Sequence, residues 1–214
     1  KTGARWFRGA AGSLASGPGG WAIRLAILAA LLAAGGTALA QGELIGSVPF
    51  LATDAAWDLA RGRVYLTADV RKEVVALDLS SGNSTTIHTS AYKPESIALT
   101  RDGRWLYVAL LTREHDSDWM DEEGHEAYIA ELDLESGGPA REFRIAEDPF
   151  DLAVTDRRIL VVPGGSGQHT YMKTFDPLTG SELGRRGIYE RCRVALHPSQ
   201  EAVYAAGTET SEIE

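Results

Sequence analysis

The stretch TREHDSDWMDEEGHEAY, residues 112–128, gathers the densest set of ligand-type side chains: His115, Asp116, Asp118, Asp121, Glu122, Glu123 and His125. Carboxylates at alternate positions open a calcium loop, because calcium takes hard oxygen ligands. Asp116 and Asp118 fit that opening, with Asp121 close behind. The pattern then departs: Met120 stands where a third ligand belongs and Asp121 where the turn glycine belongs. His115 and His125 are ten residues apart, a spacing that matches no zinc motif. A solvated acidic loop accounts for the charges, while Trp119 either makes a partner or ligand contact or folds back onto its own loop. Calcium on Asp116, Asp118 and Asp121 is a third reading; no other cofactor is expected.

The run PGGSGQH (163–169) resembles two catalytic motifs and satisfies neither. A nucleophile elbow needs Gly-x-Ser-x-Gly, and Gln168 occupies the fifth position. A dinucleotide loop needs Gly-x-Gly-x-x-Gly opening a helix, and Thr170 fills its last position. A connection between strands is the reading left. His88, His169 and His197 show no evident acid or nucleophile partner in sequence.

The elements that must hold these residues repeat. AWDLARGRVYLT, ALTRDGRWLYVA, AVTDRRILVVP and ALHPSQEAVYAA begin at Ala56, Ala98, Ala153 and Ala195, at intervals of 42, 55 and 42. Each unit opens with a short apolar strand and a polar turn, followed by an apolar, β-branched and aromatic run. A third strand such as VVALDL or YIAELDL comes next, closed by Asp-x-x-Ser/Thr-Gly at 78–82, 133–137 and 176–180. A fourth strand runs to Pro94 or Pro149. Such runs, punctuated by Gly, Asp and Pro, predict strands. No sustained 3.6-residue periodicity follows Gln41, so no substantial helix is expected. Asp78, Asp133 and Asp176 read as turn formers whose carboxylates accept backbone N–H groups two residues on.

Four antiparallel strands every 42 or so residues is the period of a β-propeller blade. The tyrosine runs VYLT, LYVA and VYAA, the DGR turn and the Asp-x-x-Ser/Thr-Gly turn resemble YVTN-type propeller repeats over residues 43–206. ILVV in the third unit departs from that pattern. The expected architecture is an all-β propeller of four-stranded antiparallel blades, incomplete at about three and a half. Residues 43–49 form the closing strand of a last blade, 50–94 blade 1, and 95–149 blade 2 with its insertion at 112–128. Residues 150–193 form blade 3 and 194–214 the start of blade 4. An unclosed ring leaves strand edges bare, so further blades are expected beyond Glu214.

The resemblance also implies where ligands meet the fold. Connections from fourth to first strands and from second to third strands gather at one mouth of the central channel. Asp151, Arg191 and Arg193 would stand there, along with the insertion carrying His115, Trp119 and His125. Similar propellers include lactonases and the large subunits of amine dehydrogenases, whose active groups are spread over many loops.

Residues 1–40 differ from the rest. They hold four basic and no acidic residues, with LAILAALLAA (25–34) before small residues ending at Ala40. That layout predicts a secretory signal peptide cut after Ala40. Its apolar run is shorter than the roughly 20 residues a membrane span needs. Residues 41–214 keep 17 basic and 30 acidic residues, a charge of −13, which repels a phosphate backbone and argues against nucleic acid. This part is not expected to be membrane-embedded, and the protein is expected outside the cytoplasm: secreted, periplasmic or at the cell surface. Cys192 is the only cysteine, which rules out an internal disulfide or a cysteine metal cluster. The leading expectation is a non-catalytic binding or scaffold module whose partner is a protein or a small molecule. The alternative is a propeller enzyme, lactonase-like or amine-dehydrogenase-like.

Overall fold

A computed structural model describes residues 47–115, 125–166, 169–189, 191–200 and 202–207. The signal peptide expected over 1–40 and most of the strand expected at 43–49 lie outside them. The described residues contain strands and turns and no helix, and so nothing helical that could cross a membrane.

Strands β1 (Ala55–Asp58), β2 (Arg63–Ala68), β3 (Glu73–Asp78) and β4 (Ser84–Thr89) form one antiparallel sheet in chain order. β5 (Lys93–Leu99), β6 (Trp105–Leu111), β7 (Ala127–Asp133) and β8 (Arg141–Ile145) form the second. β9 (Ala153–Val154), β10 (Leu160–Pro163), β11 (His169–Phe175) and β12 (Glu182–Tyr189) form the third. β13 (Cys192–Leu196) and β14 (Val203–Gly207) begin a fourth. These sheets are the blades of a propeller, and the leading strands β1, β5, β9 and β13 adjoin one another in series.

Composition follows radial position. β6, WLYVALL, is buried along nearly its whole length because a blade covers each of its faces. Its side chains alternate with the period of two expected of a strand. Tyr107 and Ala109 pack with Leu160, Val162 and Phe175 of blade 3. Leu106, Val108 and Leu110 pack with Tyr65, Val74 and Ala76 of blade 1. Each large apolar side chain so buried contributes about 1.5–3 kcal/mol relative to exposure. The outer strand β4, STTIHT, is mostly exposed and polar, which discourages edge-to-edge pairing. On the face turned away from blade 2, Val64, Leu66 and Leu77 are covered in part by Val48, Phe50 and Ala52.

The closing turns form as the sequence predicts. Asp78 Oδ1 accepts the backbone N–H groups of Ser80 and Ser81 at 3.0 and 2.9 Å. Asp133 Oδ1 does the same for Glu135 and Ser136. Gly82, Gly137 and Gly180 take φ of 71°, 63° and 72°, a region costly for any residue with a Cβ.

Long side chains bolt blade to blade. Arg61 Nη1 donates to the Gly103 carbonyl at 2.7 Å while pairing with Asp58 at 2.8 Å. Arg158 Nε donates to Tyr107 Oη at 2.7 Å, its Nη2 pairs with Glu131, and its guanidinium lies 4.0 Å above the Trp105 ring. Arg158 sits in the shortened turn of the third unit with φ 61°, a left-handed conformation that the cross-blade contacts offset.

Candidate functional site

The insertion leaves β6 and rejoins at β7, where Leu111 pairs with Ala127. Its two described stems carry His115 and His125. Both imidazoles turn onto Asp148 in the β8–β9 connection: His115 Nδ1 lies 3.0 Å from Asp148 Oδ2 and His125 Nδ1 3.5 Å from the same oxygen. Ser166, just past β10, donates its hydroxyl to that oxygen as well. Asp148 is thus a hub that fastens both stems of the insertion to blade 3. The Gly165 N–H, donating to the Asp148 carbonyl at 2.6 Å, holds the hub to the β10–β11 loop.

Backbone fit makes the cluster specific. A Cβ on Gly165 would stand 2.2–2.3 Å from the nearest His115 ring atoms, so the imidazole occupies space that only glycine leaves open. On the other side of His115, Nε2 faces Glu95 Oε1 at 3.6 Å, an ion-pair separation too long for a hydrogen bond. The Phe150 ring meets the His115 ring edge-on with centroids 5.7 Å apart.

Burial alone would lower the His115 pKa, but the Asp148 hydrogen bond and the Glu95 charge override it and raise it to about 9. His115 is therefore protonated at neutral pH. Burial pushes Asp148 upward, and His115, Ser166 and His125 together hold it below the ordinary carboxylate range. The neighbouring Glu147 is raised by burial, which Lys173 Nζ at 3.0 Å only partly offsets.

The same set of loops continues from Phe150 to the start of the fourth sheet. The Arg193 guanidinium lies 4.5 Å from the Phe150 ring centroid and that of Arg191 5.8 Å. Arg193 Nη1 also reaches Asp151 Oδ1 at 3.5 Å and the Phe150 carbonyl at 3.4 Å. Asp151 is buried, and its Oδ2 accepts the Val194 N–H at 2.8 Å, tying blade 3 to blade 4. Cys192 beside it is a buried thiol, pushed up to about 11 by that burial and by Asp151.

Of the residues singled out from sequence, the structure brings His115 and His125 onto one carboxylate, and Asp151, Arg191 and Arg193 around Phe150. Asp116, Asp118, Trp119 and Asp121 lie outside the described residues, and the calcium reading lies there with them. Among the described residues no group of three or more His, Cys, Asp or Glu is arranged to hold a metal ion. Sequence reasoning set Ser166 aside with its loop and overlooked Glu147, Phe150 and Lys173. The run Glu147-Asp148-Pro149-Phe150-Asp151 was a readable signal: three acids and an aromatic crowded into one short link between blades.

No protein-family model matches the chain, and no curated protein matches it. Solved structures do. A chain in the crystal structure of a nidogen/laminin complex matches with a TM-score of 0.56 at 18% identity, covering 77% of this chain and 60% of that one. A functionally unknown protein from Desulfotomaculum acetoxidans matches with a TM-score of 0.56 at 9% identity, covering 75% and 50%. Hydrazine synthase from Kuenenia stuttgartiensis matches at 16% identity with a TM-score of 0.44, covering 77% and 58%. The likeness is one of fold. The chain spans half to three-fifths of the length of these structures.

Proposed function

We propose that the chain is part of an exported β-propeller that binds a partner at the channel mouth without transforming it. One observation carries this reading. Ser166, the hydroxyl that stands in the buried His–carboxylate cluster, donates to the Asp148 carboxylate. The imidazole beside it is held protonated. A serine nucleophile needs a neutral imidazole to take its proton, and here the polarity is reversed. The cluster acts as a rivet, while Phe150 between Arg191 and Arg193 offers the aromatic and cationic surface typical of binding hot spots. The likeness to a nidogen/laminin complex is compatible with a protein partner.

The second reading is a propeller enzyme, lactonase-like or amine-dehydrogenase-like. It is favoured by the strongly raised His115 pKa, since perturbed groups gather at active sites. A hydrolysis assay on lactones and aryl esters separates the two, using wild type, Ser166→Ala and His115→Gln. The binding reading expects no turnover that either substitution removes. Turnover abolished by both would transfer the assignment to a hydrolase.

A further inference from the structure

Each leading strand or the approach to it carries a polar residue two positions before its repeat alanine: Asp54, Ser96, Asp151 and Arg193. The fold sets these four side by side where the leading strands adjoin, and they touch in sequence. Ser96 Oγ lies 2.7 Å from Asp54 Oδ2 and 2.8 Å from Asp151 Oδ1, and Arg193 follows at 3.5 Å from Asp151. Ser96 is fully buried, and Asp151 nearly so.

The proton count of this chain does not close with two ionised carboxylates. A hydroxyl has one proton to donate. Ser96 can therefore satisfy one of its two carboxylate contacts, and the other, at a full hydrogen-bond distance, needs its proton from the carboxyl side. Oxygens at 2.7 and 2.8 Å without a proton between them, in a buried setting, would simply repel. We infer that the channel mouth contains a proton-binding site in which Asp54 and Asp151 share one acid proton through the Ser96 hydroxyl.

The surroundings place that proton on Asp54. Asp151 has the Arg193 guanidinium beside it and accepts N–H groups from Leu152 and Val194 on its two oxygens, a setting for an ionised carboxylate. Asp54 accepts N–H groups from Ala55 and Ile97, and among the described residues no cation stands within ion-pair reach of it. The charged group facing it is Asp151, which repels its ionised form. Lys93 and Glu95, on the strand that carries Ser96, pair with each other and with Glu114 and His115. From β2, Thr67 meets Asp54 through its backbone. Burial raises the Asp54 pKa in the same sense.

The site links three blades. Asp54 enters from the approach to β1, Ser96 from β5 and Asp151 from the approach to β9. Loss of the shared proton leaves two carboxylates facing one hydroxyl, so the joints from blade 1 to blade 2 and from blade 2 to blade 3 loosen together. Ligation at the Arg193 end of the chain thereby feels the protonation state at the Asp54 end.

Infrared spectroscopy of the full chain with 13C-labelled aspartate carboxyls tests this. A neutral-carboxyl stretch is expected at pH 7, with its intensity disappearing as pH rises. Asp54→Asn, which keeps the shape and a donor to Ser96, should remove that band completely and keep the fold. A wild-type spectrum with no neutral aspartate at pH 7 would overturn the proposal without any variant. A band that survives Asp54→Asn would overturn it too, by placing the proton elsewhere.

Discussion

Two sets of aspartates do similar hydrogen-bonding work in opposite settings. Asp78 and Asp133 sit half-buried at the closing turns and accept N–H groups two and three residues away. Asp148 sits buried in the β8–β9 connection and takes its partners from His115, His125 and Ser166, 33, 23 and 18 residues distant in the chain. The first kind shapes a local turn and is replaced by water at little cost. The second fastens separate loops, and removing it strands protonated or polar groups away from water.

The contrast breaks most visibly at the hub. Asp148→Ala leaves the His115 imidazolium and Ser166 without their carboxylate, and the expected loss is about 3–5 kcal/mol, the range for breaking a buried pair. Urea unfolding of wild type and variant measures it. Gly165→Ala forces a Cβ into the His115 ring and should cost about 1–3 kcal/mol, the range for overpacking. In a His115→Ala background most of that cost should vanish, so a double-mutant cycle checks the contact directly. Tyr107→Phe removes the hydroxyl that donates to Glu131 at 2.9 Å and accepts from Arg158. A loss of about 1–2 kcal/mol is expected there, because the Arg158–Glu131 pair persists.

A pH series sharpens the comparison further. His115 is raised from 6.5 to about 9 in the folded protein. Its contribution to stability is therefore complete below the unfolded pKa of 6.5 and is lost as pH climbs through about 9. The thermal midpoint of wild type should fall over that window, and His115→Gln should flatten the profile. Asp78 runs the other way. Its hydrogen bonds from Ser80 and Ser81 lower it to about 2, so its stabilisation is present above the ordinary carboxylate pKa and fades as pH drops toward that value. Asp78→Ala should show the smallest effect of the series, visible only as a slight change in the acid limb of the denaturation curve.

The same contrast explains what was legible in the sequence. The blade repeat was, because a strand pair and its turn are local, and four alanine-led segments recur at nearly constant spacing. The closing turns were, because donor and acceptor lie within a few residues of one another. The hub was not. His115 and His125 match no ligand spacing along the chain, and only the curl of blades 2 and 3 brings both to Asp148. The axial row of Asp54, Ser96, Asp151 and Arg193 occupies an intermediate place. It was written in the repeat register, two residues before each aligned alanine, but its meaning needed the leading strands to stand side by side.

Among the described residues, every backbone-to-backbone hydrogen bond in turns and loops joins groups of one sheet and its own flanking loops. The strand ladders likewise close within single sheets. Between sheets, the hydrogen bonds among the described residues have a side chain on at least one end, as in Arg61 to the Gly103 carbonyl and the Ile97 N–H to Asp54. A leaf that shifts against its neighbour therefore strains these side-chain bolts while its own ladder stays intact.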